Sequence, residues 1–89
     1  MRAVISVIGK DTVGIIAQVS DVLWRNGINI LDITQSVLDD MFVMVMLADI
    51  SKSGTPFPAL VSELSELGDS LGVKIHAMHE DIFNSMHRI

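Results

Sequence analysis

One stretch, from Val4 to Ser51, decides the fold: VISVIGKDTVGIIAQVSDVLWRNGINILDITQSVLDDMFVMVMLADIS. The spacing of its hydrophobic residues changes several times along the chain. Val4 to Ile8 is a β-branched run, which predicts a strand that ends at Gly9. From Val13 the spacing becomes helical, and Asn26-Gly27 predicts the end of this first helix because glycine tolerates positive φ.

The second half of the stretch predicts two further strands. Ile28 to Leu38 alternates between apolar and polar residues, which is typical of a strand with one solvated face. Asp39-Asp40 then predicts a hairpin turn. Met41 to Ile50 is apolar on both faces and predicts a buried strand.

The remainder of the chain predicts a second helix, a fourth strand and a short tail. Thr55 is a predicted N-cap with Pro56 as the first helical residue. Apolar residues follow at helical spacing as far as Leu71, and Gly72 ends this helix. Val73 to Met78 is a predicted strand. We therefore expect one domain over residues 1–79, followed by a C-terminal tail helix over residues 80–89, EDIFNSMHRI.

The order of these elements predicts an α+β fold. A βαββαβ order is that of a ferredoxin-like sandwich, with a four-stranded antiparallel sheet and two helices on one face. Right-handed crossovers place the first and third strands at the centre of the sheet. These two strands are apolar on both faces, so either the tail helix or a second subunit is expected to cover the face that the two helices leave open.

Composition narrows the class of protein. A chain of 89 residues with 49% hydrophobic content makes one domain with a small core, which predicts a homo-oligomer, most simply a dimer. The net charge is -5 and the six Lys and Arg are dispersed, which argues against a nucleic-acid partner. The chain has no cysteine and no apolar run long enough for a membrane span. We expect a cytoplasmic protein with no membrane partner.

The quoted stretch resembles an ACT domain. The shared pattern is an apolar strand, a turn with Asp and Gly, a helix of apolar and small residues, and Gly-x-Asn-Ile at the start of the second strand. The ending EDIFNSMHRI is similar to that of small stand-alone ACT proteins of unassigned function. The resemblance implies a regulatory module that binds an amino acid or another small molecule where two domains associate. It also implies ligand contacts at Asp11, Val13, Gly14 and Asn29, although family members often have proline where this chain has Val13.

The turn GKDTVGIIAQV, Gly9 to Val19, has chemistry that suits such a ligand. The first N–H groups of a helix have no helical acceptor and attract a carboxylate. An acidic side chain can accept from an α-ammonium group, and glycine lets a ligand approach the backbone. The predicted ligand-binding residues are Asp11, Thr12, Val13, Gly14, Ile15 and Asn29.

A purely structural interpretation explains the same residues. Asp11 or Thr12 can be an N-cap, Gly14 can allow close packing, and Asn29 can satisfy a helix-end carbonyl. The turn lacks both glycine-rich nucleotide motifs, so a nucleotide ligand is disfavoured. Trp24, beside the apolar stripe of the first helix, is predicted to be half-buried.

Metal binding and catalysis find little support in the sequence. His76 and His79 are expected to point to opposite faces of a strand. Spacing fixes no carboxylate–histidine pair, although Glu80 follows His79 and His87 is not far along the chain. There is no cysteine nucleophile, no recognised serine motif and no pair of carboxylates that spacing forces together. We therefore expect no metal, no cofactor and no enzyme activity.

Two functions from different classes remain. The first is a small-molecule sensor that binds an amino acid or similar metabolite at a homodimer interface. The second is a protein-interaction or dimerisation module that has lost its ligand. Because the chain has neither a catalytic nor an output domain, a protein partner is expected in either case.

Overall fold

The chain folds in the predicted order of elements. The structure, a computed structural model of the chain, describes residues 1–10 and 14–86. Its elements are β1 (Arg2–Lys10), α1 (Ile15–Arg25), β2 (Asn29–Leu38), β3 (Met41–Asp49), α2 (Phe57–Leu71), β4 (Lys74–His79) and α3 (Glu80–Met86). Residues 87–89 of the predicted tail helix lie outside the described residues.

The four strands form one antiparallel sheet in the order β2-β3-β1-β4. This confirms the α+β ferredoxin-like fold, with β1 and β3 at the centre. Arg2 pairs with Asp49, which also pairs with Asn29, so these residues mark one end of the sheet, called here the Arg2 end. Lys10 pairs with Met41 at the opposite end, called the Lys10 end.

The core lies between one face of the sheet and the helices α1 and α2. Ile5 and Met46 are register partners at the centre of this face, and both are fully buried. Leu23 of α1 and Leu64 of α2 pack in the same cluster. The two helices thus cover one face, as predicted, and burial of these apolar side chains supplies the main favourable term in folding.

The start of α2 differs from the prediction. Pro56 is the N-cap, the helix begins at Phe57, and no side chain caps it. Thr55 was predicted as the N-cap, but its hydroxyl donates to the side-chain oxygen of Asn26. The backbone N–H and C=O of Thr55 both bind the hydroxyl of Ser53, which holds this loop in place. The side chain of Thr55 is therefore engaged away from the helix.

Asn26 joins the end of α1 to α2 and the loop before it. Its amide donates to the carbonyl of Val22 at 2.7 Å and to Glu63 Oε1 at 3.1 Å. Its own carbonyl accepts from the N–H of Gly54 at 3.0 Å. The side chain and the backbone carbonyl of Asn26 therefore satisfy polar groups of α1, of α2 and of the loop before α2.

We expect Asn26→Ala to lower the free energy of unfolding by about 1–3 kcal/mol, because the substitution leaves part-buried partners without a hydrogen bond. Urea denaturation followed by circular dichroism measures this change. Asn84→Ala is the matched control, because Asn84 is exposed on α3 and we expect a change within about 0.5 kcal/mol. Equal losses in the two variants would contradict the role given to Asn26.

The open face of the sheet, opposite α1 and α2, is half covered by α3. Phe83 of α3 lies beside Val4 and Leu47 at the rim of a cavity of about 220 Å³. Arg2 and Glu80 form an ion pair at 2.7 Å that fixes the start of α3 to β1. Val4 under α3 is 6% exposed, whereas Ile8 nearer the Lys10 end is 39% exposed. The tail helix thus packs on its own sheet but covers only the Arg2 end.

Candidate functional site

The first turn of α1 has backbone N–H groups that find no acceptor within residues 1–10 and 14–86. Gly14 is the N-cap, with φ 86°, a left-handed conformation that favours glycine. No side-chain hydrogen bond caps the helix in the described part of the chain, and its first turn holds no acidic residue. The first N–H groups of the helix, starting at Ile15, have no helical acceptor, and the helix dipole adds partial positive charge. This arrangement suits a carboxylate.

The structure places three of the six predicted site residues. Asp11, Thr12 and Val13 lie outside the described residues. The side chain of Ile15 is buried in the core at 2% exposure, so Ile15 offers a ligand only its backbone N–H. Gly14 is exposed, and among the described residues a Cβ added there would meet Gln18 Nε2, at 3.6 Å. The backbone at Gly14 is therefore open to a small molecule.

Asn29 lies far from this turn within one chain. It opens β2 at the Arg2 end of the sheet, whereas Gly14 follows β1 beyond the Lys10 end. The eleven residues of α1 separate them, and a helix of that length spans about 16 Å. One chain therefore does not bring Gly14 and Asn29 together, and a cradle that contains both requires a second copy.

An exposed apolar surface runs beside α1. The strand β2 is an edge strand, and its side chains are exposed at nearly every position. Trp24, predicted to be half-buried, is 76% exposed because α1 turns it away from the core. We call this surface the β2–α1 edge; its exposed apolar residues are Leu31, Ile33, Val37 and Leu38 of β2 and Ile16 and Trp24 of α1. An apolar strip along the open edge of a strand is typical of surfaces that associate.

Asp49 is a candidate site residue that the sequence analysis missed. It is the register partner of Asn29, on the neighbouring strand. The hydroxyl of Ser51 and, at 2.9 Å, its backbone N–H lower the pKa of the Asp49 carboxyl. This carboxylate is ionised at neutral pH and can accept from an ammonium group. Only the strand register, which residue spacing does not give, places it beside Asn29.

A cavity of about 570 Å³ opens at the Lys10 end of the sheet. It lies between the end of β1, the hairpin that joins β2 to β3, and the end of α2. Lys10 and Lys74 line it together with Ile8 and Met41. Neither Ile15 nor Asn29 belongs to its lining, so it is separate from the donors of α1.

The described histidines do not form a metal site. His76 pairs with Ser6 and His79 with Ala3, which confirms that the two side chains lie on opposite faces of the sheet. His79 stacks on Phe57 with ring centroids 4.2 Å apart. Among the described residues no group of three or more His, Cys, Asp and Glu could hold a metal ion. His87 lies outside them.

Within residues 1–10 and 14–86, no helix is both long enough and apolar enough to cross a bilayer.

Comparison with known proteins agrees with the fold. Residues 2–78 match the ACT domain family. A UPF0237 protein of Methanocaldococcus jannaschii is 51% identical over 88 residues, which cover 99% of this chain and 98% of the relative. An ACT domain protein from Streptococcus pneumoniae superposes with a TM-score of 0.81 at 41% identity and 93% coverage of both chains. A putative glycine cleavage system transcriptional repressor has a TM-score of 0.70 at 26% identity, covering 86% of this chain and 44% of that one.

Proposed function

Because the chain belongs to the ACT domain family, we propose that it is a regulatory domain that senses a free amino acid or similar small metabolite between two copies of itself. ACT domains are in general regulatory and ligand-binding. We propose that this chain has an amino-acid ligand, forms a dimer and holds the ligand in a site between the two copies.

The observation that carries the proposal is the position of Gly14 and Asn29 at opposite ends of α1. A two-fold axis perpendicular to the sheet at the β2–α1 edge pairs β2 with β2 and α1 with α1 of the second copy, both antiparallel. This symmetry brings Asn29 of one copy to the turn that precedes α1 of the other. Two identical sites result, and each needs both chains.

The chemistry of such a site matches the groups common to all amino acids. The N–H groups at the start of α1, which have no helical acceptor, take the carboxylate. Asp11, from the same turn, and Asp49, beside Asn29 of the second copy, offer carboxylates for the ammonium group. Thr12 and Val13 add a hydroxyl and a further N–H donor. The amide of Asn29 both donates and accepts, so it can bind either end of the ligand.

The surface area of one chain supports association. It exposes 5675 Å², whereas a monomer of 9.7 kDa is expected to expose about 5,100 Å². The molecule is flat, measuring 35 × 34 × 19 Å, and its β2–α1 edge is uncovered. Pairing through the β2–α1 edge would remove the excess.

A ligand screen tests the proposal. Each of the twenty amino acids is added separately to the purified protein, and thermal unfolding and calorimetry are recorded. We expect at least one to raise the melting temperature, because a ligand at a hundredfold excess over its Kd stabilises the folded state by about 3 kcal/mol. Neither heat nor thermal shift with any amino acid up to millimolar concentration would contradict the sensor.

We expect Asn29→Ala to weaken binding of the amino acid found in the screen by about tenfold or more, corresponding to about 1.4 kcal/mol for a lost hydrogen bond. Titration calorimetry gives the two dissociation constants. Asn84→Ala again serves as the matched control and should bind as the wild type does. If Asn29→Ala binds the amino acid as tightly as the wild type does, Asn29 does not belong to the site.

A second candidate function is a protein-interaction module without a ligand. The observation that favours it is the exposed Trp24, since tryptophan is enriched where proteins bind one another. For this candidate we expect no amino acid to bind, while Trp24→Ala abolishes capture of a partner protein. In both candidates we propose a chain without catalytic activity. The cytoplasmic location stays a prediction from composition.

A further inference from the structure

A cavity of about 200 Å³ lies at the Arg2 end of the sheet, beside the start of α2. Leu60 in its wall is fully buried in the core, and Ile50 and Phe57 pack against the same core. A dry cavity of about 150 Å³ can hold benzene, so this cavity has room for a small organic molecule. The polar residues in its wall are Ser53, Thr55 and His79.

His79 carries a buried nitrogen that makes no hydrogen bond. Its Nδ1 is closed to solvent, and no residue that the structure describes donates to it or accepts from it. Stacking on Phe57, with 4.2 Å between the ring centroids, holds the imidazole in place. Buried polar atoms in native proteins nearly always have a hydrogen-bond partner, because leaving the bond unmade costs free energy. This nitrogen in the wall of a cavity therefore indicates a bound molecule that supplies the missing partner.

The start of α2 adds a backbone donor to the same wall. Phe57 is the first residue of the helix, so its N–H has no helical acceptor, and no described side chain caps it. Pro58 has no N–H, while the N–H groups of Ala59 and Leu60 bind the carbonyl of Pro56 at 3.0 and 3.1 Å. The N–H of Phe57 is thus the donor that this helix offers, and the helix dipole adds partial positive charge beside it.

The wall of the cavity favours an anion over a cation. No Asp or Glu belongs to it among the residues that the structure describes. The hydroxyl protons of Ser53 and Thr55 are already donated, to the carbonyl of Thr55 and to Asn26. Donors for a ligand therefore come from the N–H of Phe57 and from His79 Nδ1, when the imidazole carries its proton there. Two donors on residues in contact match the two oxygens of a carboxylate.

We propose that this cavity binds a small monocarboxylate with a short apolar chain, within a single copy of the protein. The carboxylate accepts from the N–H of Phe57 and from His79 Nδ1, and the apolar chain lies against Leu60 and Ile50. A free amino acid suits the cavity less well, because its ammonium group would be buried there without a carboxylate. This second site is therefore distinct from the proposed sensor site, which needs two copies.

Isobutyrate is the probe, and nitrogen-15 NMR of the histidine side chains follows its binding. We expect a saturable shift of the His79 Nδ1 resonance, with a dissociation constant in the millimolar range that is typical of so small a ligand. His76, exposed on the opposite face of the same strand, is the internal control and should not shift. Isobutyramide has nearly the same shape without the charge, and we expect it to bind at least about tenfold more weakly.

The variant His79→Phe tests the nitrogen directly, with titration calorimetry as the measurement. Phenylalanine keeps a ring that can stack on Phe57 but lacks Nδ1, so isobutyrate should bind at least about tenfold more weakly. The melting temperature should stay at or above that of the wild type, because no hydrogen bond of the protein is lost. His76→Phe, the same change on the exposed face, is the matched control and should bind isobutyrate as the wild type does.

The outcomes separate this site from the sensor. Absence of a saturable His79 shift at millimolar isobutyrate overturns the proposal, and so does equally tight binding of isobutyramide or equally tight binding by His79→Phe. A melting temperature that falls in His79→Phe would show that Nδ1 has a partner within the protein, and overturns it too. Val37→Asp, a change on the β2–α1 edge, should bind isobutyrate normally, and loss of binding would contradict a site within one copy. The amino-acid screen does not bear on these results.

Discussion

Gly9→Ala is expected to lower the free energy of unfolding by about 1–3 kcal/mol, because the added methyl group overfills a packed region. A Cβ on Gly9 would lie 2.5 Å from Val73 Cγ1, 2.9 Å from its Cβ and 3.1 Å from its Cα. Val73 is buried at 5% exposure and is β-branched, so its side chain cannot turn away. The backbone between α2 and β4 has to move instead.

Urea denaturation measures this loss. Gly54→Ala is the matched control, because no atom of the described residues lies within 4 Å of a Cβ added at Gly54. We expect this second variant to be as stable as the wild type or slightly more stable, since alanine restricts the unfolded chain. If the free energies of unfolding of Gly9→Ala and Gly54→Ala agree within about 0.5 kcal/mol, β1 and Val73 are not in close contact.

Val37→Asp is expected to weaken the edge dimer by at least about a hundredfold, or about 2.7 kcal/mol. Val37 is 63% exposed in one chain, so the substitution leaves the monomer fold intact. In the dimer through the β2–α1 edge the new carboxylate is desolvated without a partner, which is strongly unfavourable. Because each ligand site needs both chains, we also expect this variant to lose amino-acid binding.

Analytical ultracentrifugation over a range of concentrations gives the dissociation constant. Ser62→Asp introduces the same charge on the exposed side of α2 and should leave association unchanged. If Val37→Asp dimerises and binds the ligand as the wild type does, the dimer interface lies on another surface.

The sequence was sufficient for the fold because each boundary has a local cause. The spacing of hydrophobic residues becomes helical at Val13, just before α1 begins. Gly27, with φ 74°, follows the end of this helix. The hairpin at Asp39, with φ 58°, was also predicted from local residues. The two-sided apolarity of β1 and β3 predicted their central position, since only central strands are buried on both faces.

The remaining features depend on contacts that spacing does not encode. Thr55 has the residue type of an N-cap, but a tertiary hydrogen bond to Asn26 decides its role. Trp24 lies next to the buried stripe of α1, yet the helix turns its side chain away from the core. Asn29 was predicted beside the ligand turn, whereas the sheet register separates the two within one chain.

Mixing two defective variants tests most directly whether each site is shared between chains. Asn29→Ala keeps the turn, and Gly14→Val disturbs it by placing a β-branched residue at positive φ, so each alone should bind the amino acid weakly. After exchange of subunits, half of the dimers contain one chain of each kind, and each of these has one intact site. Titration calorimetry should then recover about a quarter of the wild-type sites at wild-type affinity. Recovery of no high-affinity site would show that the ligand is bound within a single chain, and would contradict the account.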